Sequence, residues 1–483
     1  MKIKTVLLIT MFVAAGFLLS AQGLKVEPGT CIKVETGTTL DISGGGDLTL
    51  KSDATGDASL IDLGSVSYTG GGEANVERYL SNGTWHLISS PIVGAESGMF
   101  TGDYLQYHTE SSNLYTDVTS TTYGLVPMKG YSLWSMQAAP PSNTTELFEG
   151  VTNTGSQAFN FTKAGDGYNL MGNPYPSVID WDEVTIPANL NGSFQLWDPS
   201  TGVYKYYQKT GGPGNTTSQY IPSGQGFFTW ATGTGTFTLD NTVRTQASQS
   251  FYKNTNTTNT MLVLKVTGNS ITTQTAIGFN QVATPQIDRL FDVPMIVSGY
   301  PDVPNLYSFS EGKEMAINTL PSILGYETIP VSFHAGTTGN YSILASELQS
   351  IPAEVPVYLE DVALNHIHDL RLDPGYSFAY TSGAIKEFKV HFENLITEIE
   401  ETETLQVLCY TANEMLHVKF LTKGTESESI QANIRAYDIT GKQLLDVHTT
   451  QTDNALPFNY KQSVYLIHIS AGNMSYSTKV FNR

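Results

Sequence analysis

The sequence predicts an all-β protein: a short N-terminal β-solenoid-like cap, a duplicated central β-domain, an antiparallel β-sandwich and a C-terminal Ig-like domain. Three observations predict it. Only 14% of the 483 residues are charged, while Gly, Thr, Ser, Asn and Tyr are abundant, the mix expected of short strands joined by tight turns. No long stretch carries helical periodicity, whereas short apolar runs alternate with turn residues along most of the chain. Within residues 78–245, three landmarks recur in the same order.

Residues 1–21 read as a signal peptide. Lys2 and Lys4 precede the apolar run Val6 to Leu19, which is long enough for an export signal and too short for a permanent span. Small residues follow at Ser20 and Ala21, so Gln22 is the expected mature start. Cys31 lies too far downstream for a lipid anchor, and no later run is long and apolar enough to be a transmembrane segment.

In 22–77, strands of three to five residues alternate with Gly-rich turns, as in stacked solenoid rungs. The duplication occupies 78–245. His86–Ile92 matches Asn169–Tyr175, Tyr107–Tyr115 matches Leu196–Tyr204, and Val126–Trp134 matches Ile221–Trp230 with one insertion. Each middle landmark reads as a hairpin, turning at Glu110–Asn113 or Pro199–Gly202. All five tryptophans (Trp85, Trp134, Trp181, Trp197, Trp230) lie here, so two related subdomains should pack face to face, with Trp134 and Trp230 equivalent and both buried.

Seven or so alternating runs over 246–393, from MLVLKVTG to FKVHF, suggest an antiparallel sandwich. Residues 394–404 are acidic with no basic residue, the signature of a solvated linker. Residues 405–483 hold six or seven strands, an Ig-like size and spacing.

Net charge is −20, which argues against nucleic-acid binding because phosphate recognition needs clustered Lys and Arg. Cys31 and Cys409 fall in different domains and read as unpaired core residues.

In the last segment, Ile434–Leu444 (IRAYDITGKQL), Ser463–Gly472 (SVYLIHISAG) and the closing YSTKVFNR resemble the type A sorting domain of the type IX secretion system. That family has a Tyr-Asp-x-x-Gly-Lys/Arg turn, a Gly-x-Tyr strand, and a basic residue before a terminal apolar strand. Tyr437, Asp438, Gly441, Lys442, Val464, Tyr465, Lys479 and Val480 fill those positions, with Ser463 where the family usually has Gly. The phrases GTWHLISSPI and GYNLMGNPYPSVIDWD, and Val355–Tyr380 followed by FKVHF, are similar to repetitive β-rich portions of surface proteins exported by this route. The resemblance implies a Gram-negative envelope, passage through the periplasm, a secreted or outer-membrane surface location, and the type IX machinery and its sortase as partners. It implies no reaction.

No HExxH, G-x-S-x-G, CxxC, GK[ST] or EF-hand ligand series occurs, and nothing in the sequence calls for a cofactor. His366 and His368 share one strand face and could begin a zinc site, but no further ligands are apparent. Asp180, Asp182 and Glu183 flank Trp181 and offer carboxylates for Ca²⁺, or else the turn buries Trp181 and the acids face water. Trp197, Tyr204, Tyr206 and Tyr207 decorate the second hairpin. Exposed together they would stack sugar rings; otherwise they pack across strands. Asn82, Asn143, Asn215 and Asn256 begin sequon-like triplets that read as Asn/Thr turns in a bacterial setting.

The leading expectation is therefore a non-enzymatic exported protein serving adhesion or surface structure, with a glycan or extracellular-matrix ligand. The alternatives are a carbohydrate-binding module protein and a secreted glycan-cleaving enzyme, which needs two carboxylates about 5 to 9.5 Å apart.

Overall fold

The cap winds as a solenoid. The strands Leu24–Val26, Leu48–Leu50 and Ala74–Val76 pair in parallel and in register. Cys31–Val34 pairs in parallel with Ser59–Asp62, and Thr39–Ile42 with Ser65–Tyr68. Three strand stacks thus bound one apolar interior that includes Val26, Val34, Ile42, Leu48, Leu50 and Leu60. The computed structural model describes residues 23–136, 144–210, 214, 218–246, 260–393, 407–420, 431–471 and 474–482; the signal-peptide, linker, Asn143, Asn215 and Asn256 readings lie outside them.

The duplication is visible as topology. In the first repeat β1 (Trp85–Ile88), β2 (Tyr104–Thr109), β3 (Leu114–Asp117) and β4 (Tyr131–Trp134) form a sheet of order β1-β4-β2-β3. In the second, β5 (Tyr168–Gly172), β6 (Ser193–Asp198), β7 (Val203–Gln208) and β8 (Gly226–Trp230) repeat that order as β5-β8-β6-β7. Register agrees residue by residue. Trp85 faces Trp134 as Tyr168 faces Trp230. His108 faces Tyr115 as Trp197 faces Tyr204, and Gln106 faces Ser132 as Gln195 faces Phe228.

The two sheets meet about a pseudo-twofold axis. The bridge Ile88–Gln225 has its mirror in Met171–Lys129, which is the reciprocity of an isologous interface. Equivalent residues meet on the axis: the phenols of Tyr115 and Tyr204 act on one another, and Gly172 abuts Ser89. Close approach requires glycine twice, because a Cβ on Gly130 would stand 2.4 Å from the Met171 carbonyl oxygen and one on Gly226 would stand 2.9 Å from that of Ile88.

Residues 260–393 depart from the expected sandwich. Here β9 (Thr260–Gly268), β10 (Ile271–Phe279), β11 (Asn305–Ser310), β12 (Lys313–Leu320), β13 (Thr328–His334), β14 (Gly339–Ser346), β15 (Tyr358–Asp361), β16 (His366–Asp369), β17 (Gly375–Tyr380) and β18 (Lys386–His391) belong to one eleven-stranded sheet. Its order is β16-β15-β18-β13-β11-β12-β10-β9-β14-β17, with Val293–Pro294 added on β12. The sheet coils into a nearly closed barrel, and its two edge strands face one another: Tyr376 of β17 lies 5.9 Å from His366 and 5.4 Å from His368 of β16. The pair β10–β12 is parallel. Alternation reveals strands but not whether they share one sheet, and β9 is apolar on both faces: Leu262, Leu264 and Val266 fill the barrel while Met261 and Val263 pack outside it.

The chain divides into two compact units at Asn394–Leu395. The terminal unit holds β19 (Val407–Ala412), β20 (Met415–Phe420), β21 (Ala432–Tyr437), β22 (Gln443–Thr449), β23 (Asp453–Pro457), β24 (Ser463–Ala471) and β25 (Met474–Asn482). They form sheets β19-β20-β23 and β22-β21-β24-β25 around a core of Leu416, Val418, Ile434, Phe458, Ile467 and Ile469. Among the described residues no helix is long and apolar enough to cross a membrane.

Candidate functional site

The second hairpin is not a free aromatic shelf. Tyr206 is only 3% exposed and packs on the outside of the barrel with Val263, Val293 and Ile317. Trp197 lies between Tyr204 and Tyr300, at 5.0 and 5.5 Å, and its Nε1 donates to the Trp85 carbonyl. Tyr204 packs on Phe228, and burial raises its phenol well above the usual value. Tyr207 stacks on Phe194 and donates to Asp182. Stacking of these rings on sugars is therefore replaced by packing between layers.

The acids around Trp181 do not converge on one point. Trp181 is fully buried among Phe194, Phe227 and Phe237. Asp180 accepts the Asp182 backbone N–H and caps the short 3₁₀ turn, while Asp182 and Glu183 are exposed. His366 and His368 border Tyr376, and the His368 ring nitrogen lies 2.9 Å from the Asp373 carbonyl. Among the described residues no cluster of three or more His, Cys, Asp and Glu is arranged to hold a metal. Asn82 sits in a turn, its side-chain oxygen accepting the Gly83 N–H. Both cysteines are free, and burial pushes each thiol up to about 11.

In the terminal unit, the resemblance residues organise one turn and two neighbouring strands. Asp438 accepts hydrogen bonds from the Thr440 hydroxyl and from the backbone of Thr440 and Lys442. Of these the Thr440 hydroxyl does most to hold its carboxyl below the usual range. Gly441 supplies the left-handed residue at φ 84°. Tyr465 is buried opposite Val480, Lys479 lies opposite Leu466, and Val464 is exposed opposite Phe481.

The open aromatic surface lies on the first repeat instead. Trp85, Trp134 and Tyr104 are direct neighbours across β1, β4 and β2, so with strands about 4.8 Å apart the row spans about 10 Å. The Trp85 and Trp134 rings meet edge to face at 5.4 Å. Tyr104 is 61% exposed and both tryptophans are half-buried. The next row on the same face is Leu87, Ser132, Gln106 and Asp117. Leu87 and Ser132 are buried, Leu87 against Leu170 and Phe228 of the second repeat, and the accessible end is Gln106 and Asp117, where Gln106 Nε2 donates to Asp117 Oδ1 at 2.8 Å. Asp103 borders the row and accepts the Met136 N–H at 2.6 Å. Burial, reinforced by the charge of Asp103, pushes nearby Glu146 up to about 7.

The expectation that Trp134 is buried like Trp230 is corrected here. Trp230 is 6% exposed, donates from Nε1 to the Asp166 carbonyl and lies under the Lys313 ammonium. The barrel layer supplies that cover to the second repeat, and Trp134 has no equivalent neighbour among the described residues. Sequence reasoning missed Tyr104, Gln106 and Asp117. Their signal was in the repeat alignment, where Tyr104 stands for Ser193 and Asp117 for Tyr206: an aromatic and an acid replace groups that the barrel covers.

A family model described as Domain of unknown function (DUF8693) matches residues 9–392 and leaves the terminal unit outside the match. No curated protein matches the chain.

Proposed function

Since the chain belongs to the family Domain of unknown function (DUF8693), and carries beyond that family's extent a further compact unit, we propose that it is an exported envelope protein with a cleavable sorting domain. Residues 1–21 direct it to the periplasm. Residues 405–483 address it to the type IX machinery and its sortase. Residues 22–393 do the work at the cell surface or after release, in adhesion or surface structure and without catalysis.

The observation that carries this reading is the separateness of the terminal unit, which has its own core and presents the Tyr437–Lys442 turn closed by Asp438. An address must be readable without the cargo, and a self-contained domain meets that condition. The experiment is deletion of 405–483 followed by cell fractionation and surface labelling. The truncated protein should accumulate, folded, in the periplasm; normal surface display overturns the proposal.

A further inference from the structure

We infer that the Trp85–Trp134–Tyr104 row, together with Gln106 and Asp117, is a binding site for a neutral polysaccharide. The inference goes beyond the export reading and does not depend on it. Its first support is internal to the molecule. The two repeats present the same face in the same register, and on the second that face is covered by the barrel: Gln195 donates to the Pro294 carbonyl, Ser298 to the Gly202 carbonyl, and Tyr206 enters an apolar cluster with Met261 and Ile317. The structure therefore shows what a protein occupant of this face looks like.

The first repeat is built for a different occupant. Where the second repeat has the buried Tyr206 it has an exposed Asp117, and where the second has the buried Ser193 it has an exposed Tyr104. A protein surface docking here would strip water from the Asp117 carboxylate, which is costly without a replacement hydrogen bond. A polyhydroxylated ligand supplies that replacement. Its ring faces carry apolar C–H groups that pack on aromatic rings, and its hydroxyls can both donate to Asp117 and exchange hydrogen bonds with Gln106. A few polar groups beside an apolar surface is the usual composition of a small-molecule subsite.

Charge selects among glycans. Asp103 and Asp117 border the row, and the chain as a whole carries −20, so uronic-acid and sulfated polymers are repelled. The three-strand row exceeds a single sugar ring in length, which favours chains over monosaccharides. A polysaccharide also spares the site the cost of a deep pocket, because adjacent residues of one chain bind with high effective concentration.

The test is affinity electrophoresis of the full chain through gels containing soluble neutral β-glucan, mannan or xylan, with alginate as the anionic counterpart. At least one neutral polymer should retard the protein and alginate should not. Tyr104→Ala and Gln106→Ala should each weaken retardation by about tenfold, while Leu324→Ala, on an exposed barrel position, should leave it unchanged. Tyr104 and Gln106 are surface groups, and unchanged circular dichroism and melting of the variants separate lost binding from lost folding. Failure of all three neutral polymers to retard the protein overturns the inference. Retardation that survives both substitutions overturns it as well, as does binding of alginate alone.

Discussion

At the scale of single residues, cover decides what a conserved position in the repeat is worth. Trp230→Ala should destabilise the central unit by about 3 to 5 kcal/mol, the range for a buried aromatic truncation. Trp134→Ala, at the same register position without the barrel above it, should cost about 1 kcal/mol. Thermal melting of the two variants side by side checks the difference, and equal losses would contradict the account. Glu146 gives a pH signature. Its carboxyl is raised from 4.5 to about 7, chiefly by burial, so the folded state holds the proton more tightly than the unfolded chain. That contribution is fully present below about pH 4.5 and is lost as pH rises through about 7. The stability of Glu146→Gln should therefore be flatter across that window than that of the parent protein. Glu110 has the opposite sign. Burial opposes its ionisation, but the backbone N–H groups of Ala164, Gly165 and Gly167 and the Thr162 hydroxyl outweigh it and hold the carboxyl below its usual value.

At the scale of elements, the junctions carry polar chemistry that local patterns do not reveal. The cap is fastened to the second repeat by Arg244, whose guanidinium bonds the buried Asp62 carboxylate, the Leu60 carbonyl and Ser177 Oγ and lies over the Tyr175 ring at 4.8 Å. Removing one partner leaves the other charge buried and unpaired. Arg244→Ala should thus cost about 3 to 5 kcal/mol, and hydrogen exchange should accelerate first in the strands between Leu24 and Leu80. Reading the sequence found the hairpin turns at 110–113 and 199–202 because polar turn residues interrupt apolar strands, and it found the repeat because three landmarks kept their order. It missed β11 and β12. In β12, Ala316 to Leu320 are buried without interruption, so period-two alternation, the signal being sought, is absent. That these strands form one sheet was likewise illegible, since its continuity depends on pairings such as β13 with β18 that lie about sixty residues apart. The candidate site was hidden for a related reason: Tyr104 looks like any strand aromatic until the layer that covers its counterpart is seen.

At the scale of the whole molecule, two units and an internal symmetry set the behaviour. A chain ending at Glu393 should melt at the same temperature as the 22–393 portion of the full protein, because the terminal unit has a core of its own. Calorimetry of both forms checks this, and a lower melting point for the truncated body would show that the units stabilise one another. The mirrored contacts, Ile88 with Gln225 and Met171 with Lys129, have a consequence in solution. Two separate chains joined through such a patch would come apart on dilution, with a melting point that followed their concentration. Here both halves ride on one chain, so each sees the other at an effective concentration of about a millimolar or more whatever the sample contains. The paired architecture is therefore held intact even when a single molecule drifts alone, far from any other copy of itself.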